Sequence, residues 1–470
     1  MSGDVRKDVG HRSSASGRSP LRPSQRARPA PSEESDLSTS SSVAYPSDLA
    51  REVRRRLKEG KRDDGPGGAI LLKLFEVLHF ASLRTEEREP VVCSVTWMDP
   101  GKPDPHPPRD KRPSRWSVTA LANRLPLTIA NVVKLSSAAD PQACSLACYA
   151  DDANNVYIWG LIDQTQGAPS FSPERGEKQL ERPGIFQATV SPAHLLVYRG
   201  PRLVASLIHG QLTHRFHDVF REGRIARTCD RYVLALVDRV RHRVGKDVFD
   251  AGDKWTEVIR RLWTSTLCRV LLAVQGYDKG GAVLLVEEPV PSALSIKYEL
   301  AYRRLGAAIE RLAAVRIQGS HARDKIWTGY LLDEDSGDLP GDLYLEEGLA
   351  SSEETACLQE IAGCVRFIAS LSRADGLVLL DGDLAVKGFG CEITLPEEPR
   401  NVLLAGNAAG TSELCRPVDF HSFGIRHRSM MRYCDRFPGS VGFVVSQDGT
   451  IRALARDGER LIMWETLELS

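Results

Sequence analysis

Apolar residues recur along this chain with two different periods, and the period predicts the element. Spacing of three and four marks helices over Ile70–Leu83 (Leu71, Leu72, Leu74, Phe75, Val77 and Leu78), Arg231–Val244 (Val233, Leu236, Val237 and Val240) and Trp255–Val274. It continues in a long helix with Leu305, Ala308, Ile309, Leu312 and Ala313, and in another with Leu358, Ile361, Ala362, Val365, Ile368 and Ala369. A short basic helix is expected at Leu49–Leu57, closed by Gly60. Short β-branched and aromatic runs predict strands at Val156–Ile162, Gly184–Val190, Gly281–Glu287, Leu294–Tyr298, Leu377–Leu380 and Phe443–Val445. His194–Gly200 and Leu203–Ile208 form a hairpin joined at Gly200-Pro201.

Between these runs the chain is punctuated. Prolines at 100, 103, 105, 107 and 108 exclude regular structure over 99–114. Residues 318–350, rich in Gly and Asp, are expected to form an inserted lobe, and Ser351 with Glu354 reads as a capping box for the helix after it. Up to Asp48 the chain is Ser-, Arg- and Pro-rich, the composition of a disordered tail. Its arginines at 18, 22, 26 and 28 are followed by Glu33, Glu34 and Asp36, so a solvated tail is expected rather than a nucleic-acid arm. The domain reading is a tail at 1–48, a smaller β-rich domain at 49–250, and a carboxyl-terminal domain at 253–470. In the last, strands and helices alternate. The fold class is α/β (α+β mixed): a mixed sheet flanked by helices, preceded by the β-rich domain.

Composition narrows the partners. Lys plus Arg equals Asp plus Glu at 62 each, so no global field draws a polyanion, and any attraction for phosphate is local. No apolar run reaches a membrane span, and the polar start lacks a signal-peptide core, so a cytoplasmic protein is expected. The cysteines lack zinc spacing; Cys144 and Cys148 have no second pair or His partner, and reduced, mostly buried thiols are expected.

Three stretches near the carboxyl end carry candidate chemistry. Asp375-Gly376-Leu377 opens a strand with a carboxylate at its edge, where a metal or hydroxyl can reach it. Gly424-Ile425-Arg426-His427-Arg428 places two guanidinium forks and an imidazole where a helix begins, a site for phosphate oxygens. Phe443–Gly449 is a strand ending in a hydroxyl, Ser446, and an acid, Asp448. A second Arg-His-Arg triplet, 241–243, falls at a helix carboxyl end, where the dipole favours cations and repels anions; it reads as a basic helix end. Gly406–Gly410 has no Lys-Ser/Thr after it, so a flexible surface loop is expected there rather than a phosphate loop.

Taken in this order, the three stretches resemble the Asp-Gly-Ala, Arg-His-Arg and Ser-Glu-Glu motifs of the DisA-type diadenylate cyclase (DAC) domain. Gly280–Glu287 resembles that domain's glycine-led first strand. The chain departs from the pattern at Leu377, Ile425 and Gln447. The resemblance implies a nucleotidyltransferase that condenses two ATP into cyclic di-AMP with Mg²⁺ or Mn²⁺. Each domain would hold one ATP, so a homodimer or higher oligomer is implied. Asp375 would be catalytic and, with Asp448, hold the metal; Gly376, Leu377, Arg426, His427, Arg428 and Ser446 would bind nucleotide. Two roles stay open for His427, phosphate ligand or loop tie. A catalytically silent nucleotide-binding module reporting ATP or cyclic di-AMP to a partner is the other implied function. Upstream, Trp159–Asp163 and Arg182–Phe186 are similar to the sensor domain type called DACNV that precedes some DAC domains. No membrane or nucleic-acid partner is expected.

Overall fold

The computed structural model describes residues 43–59, 65–101, 117–139, 144–164, 186–199, 202–213, 216–250, 254–277, 279–287, 293–332, 341–446, 450–467 and 469. The tail to residue 42, most of the proline-rich stretch and the hairpin junction at 200–201 lie outside these residues.

The amino-terminal part begins with α1 (Pro46–Glu59) and α2 (Gly68–Ser82), followed by a small β1–β2 pair (Thr85–Glu86, Glu89–Pro90). Then come β3 (Cys93–Trp97), β4 (Ser117–Pro126), α3 (Ile129–Ser136), β5 (Cys144–Ala150), β6 (Val156–Asp163), β7 (Phe186–Ser191), β8 (His194–Arg199), β9 (Arg202–Ile208) and β10 (Gln211–Thr213). Eight strands form one sheet in the order β10-β9-β8-β7-β3-β5-β6-β4, antiparallel except for β3 beside β5. The apolar residues that predicted α2 explain its position. Leu71, Leu74, Phe75 and Leu78 are buried on one face of the sheet, with Leu49, Val53 and Leu57 of α1 and Val132 of α3. Hydrophobic and polar positions alternate along the strands. Val95, Leu146, Ala188, Val197 and Ala205 join this core. Ser94 bonds Thr189 (2.7 Å) and Thr96 bonds Ser145 (2.7 Å) from positions one residue out of phase.

The carboxyl-terminal part is layered around a nine-stranded sheet. Its elements are α4 (Gly223–Val244), α5 (Lys246–Asp250), α6 (Trp255–Gln275), β11 (Gly281–Val286), β12 (Leu294–Tyr302), α7 (Arg304–Leu332), α8 (Gly341–Leu371), β13 (Leu377–Asp381), β14 (Val386–Ile393), β15 (Val402–Leu404), β16 (Arg416–Pro417), α9 (Ile425–Arg436), β17 (Val441–Val445), β18 (Ile451–Asp457) and β19 (Arg460–Trp464). The strand order is β12-β14-β13-β11-β17-β18-β19-β15-β16, with β11 parallel to β13 and antiparallel to β17. Central strands buried on both faces read as apolar runs, which is why Leu377–Leu380 and Phe443–Val445 were legible; the second strand begins earlier, at Val441. One face (Val283, Leu285, Val378, Leu380, Phe443) packs under α4, α6, α7 and α8. The other (Ala282, Leu284, Leu377, Leu379, Val444) packs under α9 through Met430, Met431, Tyr433 and Cys434.

Three expectations meet a different structure. Residues 318–350 are no lobe: α7 and α8 run on as an antiparallel pair, tied by Arg316–Glu354 (2.8 Å) and Arg323–Glu347 (3.2 Å), with 333–340 outside the described residues. Ser351 therefore lies within α8 and caps nothing; its carbonyl accepts from the Thr355 hydroxyl (3.1 Å). The 406–410 segment is a fixed turn. The Asn407 side chain accepts the Gly410 and Thr411 N–H groups (2.8 and 3.1 Å), and the Trp464 indole donates to the Asn407 and Ala408 carbonyls (3.1 and 3.0 Å). Asn-based turns of this kind leave no hydrophobic period to read.

The helix expected at 231–244 starts earlier, at Gly223, and its buried face belongs to the carboxyl-terminal core: Ile225, Cys229, Val233, Leu236 and Val240 pack with α6 and α7 residues. Just before it, Phe220 stacks on Phe443 (6.1 Å), and the His217 N–H bonds the Thr466 carbonyl (2.9 Å). A fragment beginning at Asp253 strips this helix from the sheet and is expected to bind a hydrophobic dye and lose near-ultraviolet dichroism. One beginning at residue 216 is expected to melt cooperatively. Equal cooperativity of the two fragments would show that α4 is dispensable to this core.

Candidate functional site

Registers of the central strands bring the predicted motifs to one end of the sheet. Val283 pairs with Val378 and Gly281 with Val445, so the amino ends of β11 and β13 and the carboxyl end of β17 lie side by side. Gly280-Gly281, Asp375-Gly376 and Ser446 stand there in adjacent strands. Helix α9 leads into β17 through a short turn and returns along it, so its first turn reaches the same end. Contact between His427 Nε2 and Ser446 Oγ (3.4 Å) fixes that placement.

Asp375 is exposed in the turn before β13, where its Oδ1 accepts the Gly376 N–H (3.0 Å). Gly376 has φ +107, and a Cβ there would lie 2.6 Å from the Gly390 carbonyl carbon, so the turn requires glycine. Leu377 points the other way from an open site: it is buried in the core beneath α9. The strand's far end carries a second Asp-Gly, Asp381-Gly382. Its acid bonds the Asp383 and Ala385 N–H groups (2.9 Å each) and Lys387 Nζ (3.1 Å), a structural turn.

The first turn of α9 is open. Gly424, its N-cap, offers no side chain, and the Arg428 N–H is the first to bond back, to the Gly424 carbonyl (3.1 Å). The N–H groups ahead of it in this turn have no acceptor within the helix, and the partial positive charge of a helix amino end favours an anion. Arg426 is half-buried in this turn. Arg428 lies 6.0 Å from the Phe420 ring centroid, and its buried Nε has no hydrogen-bond partner. Such an orphaned donor calls for a water or an ion. One turn on, Arg432 lies over the same ring (5.2 Å) and bonds Glu398 (3.3 Å).

Arg452 is the residue that sequence reasoning missed. From β18 its Nη1 donates to Ser446 Oγ (2.9 Å) and approaches His427 Nε2 (3.4 Å), while Nη2 lies 3.5 Å from Glu465 Oε1. A guanidinium has only donors, so Nε2 of His427 meets it as an acceptor. His427 thereby links the start of α9 to the end of β17. The signal was available: Arg452 is a lone cation in the run Ile451–Ala455, on the face that α9 covers.

The other triplet is spent on structure. Arg241 pairs with Asp250 (2.6 Å), Arg243 lies 3.6 Å from Glu310, and His242 Nδ1 is 2.8 Å from the Asp238 carbonyl. Among the described residues no group of three or more His, Cys, Asp or Glu side chains gathers as a metal site. Asp448 and Gln447 lie outside the described residues. All ten cysteines are free and eight are buried; burial pushes Cys93 and Cys434 up to about 12, so these thiols are inert packing.

A family described as "Probable sensor domain DACNV" matches residues 61–163. The match takes in α2 through β6, including Trp159–Asp163; Arg182–Phe186 lies beyond it. No curated protein matches the chain.

Proposed function

We propose that the chain is a diadenylate cyclase-like protein, in which the carboxyl-terminal sheet condenses two ATP into cyclic di-AMP under control of the amino-terminal sensor domain. The observation that carries the reading is the convergence, at one sheet end, of the Asp375 carboxylate with an uncapped helix terminus bearing Arg426 and Arg428. In the reaction the 3′-hydroxyl of each ATP attacks the α-phosphorus of the other. Two P–O bonds form, two pyrophosphates leave, and each hydroxyl gives up its proton. Such transfer depends on positioning and charge neutralisation more than on covalent help from the protein.

Roles follow from the chemistry of each group. Arg426, Arg428 and the α9 N–H groups suit phosphate oxygens. Asp375 suits the hydroxyl end, since its exposed carboxylate keeps a free oxygen beside the one bonded to Gly376. Mg²⁺ or Mn²⁺, when bound, supplies further charge neutralisation. A single described carboxylate fits an ion that arrives with the nucleotide's phosphates and keeps several waters; Asp375, with Asp448, would hold it. One site accommodates one of the two ATP molecules, so the active species is a dimer with sites facing, and turnover per chain rises with protein concentration. No described helix is long and apolar enough to cross a membrane.

One observation favours the silent nucleotide-binding reading. Arg452 already occupies Ser446 and His427, drawing both away from a ligand. Incubation of the purified chain with ATP and Mg²⁺ or Mn²⁺, with products resolved by chromatography, separates the two. Cyclic di-AMP establishes the cyclase; ATP binding without product with either ion leaves the silent module.

A further inference from the structure

The turns joining β7 to β8 and β9 to β10 lie together at one end of the amino-terminal sheet, and each presents a histidine. His194 opens β8. His209 sits in the second turn, its N–H bonded to the Ala193 carbonyl of the first (3.0 Å). The two Nε2 atoms are 3.2 Å apart, with the rings at 86°. Both turns contain left-handed backbone: Ala193 at φ +59, His209 at +48 and Gly210 at +77. Side-chain-bearing residues hold that conformation only where their surroundings fix it. The fixing is visible. His194 pairs with Ser191 across β7–β8 and with Ile208 across β8–β9, and the Ala44 N–H bonds the Gly210 carbonyl (2.8 Å).

Two converging Nε2 atoms make either a hydrogen bond or a chelate. Imidazoles sharing one ion at bonds of about 2.0–2.1 Å, with an angle near that of a tetrahedron or an octahedron, hold their nitrogens roughly 2.9–3.4 Å apart. The observed separation falls inside that window without any movement of the backbone.

We propose that His194 and His209 form a chelating pair for a divalent transition-metal ion of the Zn²⁺, Ni²⁺ or Cu²⁺ class. Imidazole prefers these ions to Mg²⁺ or Ca²⁺, which seek oxygen. Among the described residues no third His, Cys, Asp or Glu joins them, so the pair supplies two of the four or more ligands such an ion takes. An ion bound here locks the two turns together. The second turn holds residue 44, from which α1 enters the core, so occupancy stiffens the amino-terminal domain. The inference is independent of the cyclase reading.

The test is titration of the full chain with Ni²⁺ by calorimetry, together with the Cu²⁺ electron paramagnetic resonance spectrum at one equivalent. His194→Gln and His209→Gln are each expected to weaken the Ni²⁺ site by roughly tenfold or more, about 1.4 kcal/mol per tenfold. The wild-type Cu²⁺ spectrum is expected to carry the splitting of two imidazole nitrogens, absent from both variants, while Mg²⁺ does not compete. Thermal melts without metal check that the variants fold, and the wild-type spectrum stands on its own if one does not. Equal Ni²⁺ binding by wild type and the double variant overturns the proposal, as does a wild type that takes up neither ion, which leaves the pair a hydrogen bond.

Discussion

Asp375→Asn is expected to abolish synthesis of cyclic di-AMP while appreciable ATP binding remains. The substitution keeps size and hydrogen-bonding capacity, so the turn bond to the Gly376 N–H survives. What it removes is the charge that the cyclase reading assigns to the hydroxyl end of the site. Arg426→Ala is expected to fail differently. It deletes a charge-assisted clamp, typically worth about 1.5–3 kcal/mol, and so weakens ATP binding by roughly ten- to a hundredfold. Arg241→Ala is the internal control. Its guanidinium is committed to Asp250 at the carboxyl end of α4, and ATP affinity is expected to change little. Equilibrium binding of labelled ATP and product analysis read all three variants. Equal losses from Arg241→Ala and Arg426→Ala would put the nucleotide on the other triplet.

The contrast between the triplets shows what the sequence made legible. Both have the same three residues, and only their position on a helix separates them. The amphipathic period set Arg241–Arg243 at a carboxyl terminus, and a glycine set Arg426–Arg428 at an amino terminus; both placements are those of the structure. Central strands were legible because burial on both faces leaves unbroken apolar runs. What escaped depends on contacts distant in sequence. Arg452 reaches Ser446 and His427 across a strand pair and a helix packing; its apolar neighbours mark it as a buried cation, but its partners are not readable from them. The α7–α8 pair escaped for another reason. Beyond the buried stretch even apolar Trp327, Leu345 and Leu349 are exposed, so apolar positions no longer mark one buried face and the helical period fades where no sheet supports it. The ion pair that ties the two helices there, Arg323 to Glu347, has no sequence period until the pairing is known.

Gly376→Ala is expected to destabilise the carboxyl-terminal domain by about 3–5 kcal/mol, combining left-handed strain with overpacking. The residue sits at φ +107, and an added Cβ would lie 2.6 Å from the Gly390 carbonyl carbon and 2.8 Å from both the Gly390 Cα and the Cys391 oxygen. All three are backbone atoms of β14, so relief requires pushing that strand off β13. Gly424→Ala provides the comparison. That glycine has φ −66 and nothing within 4 Å of the added methyl, so the fold is expected to lose only what Ala costs relative to Gly at an N-cap, about 1 kcal/mol or less. The open space there lies at the donors of α9, and a methyl group in it is expected to weaken ATP binding without moving the denaturation midpoint far. Denaturant melts and ATP titration of the two variants therefore separate a glycine required by the backbone from one required by the ligand. A Gly376→Ala variant with the wild-type midpoint would mean that β14 yields freely, and that the glycine of the Asp-Gly pair is needed at the site rather than by the sheet.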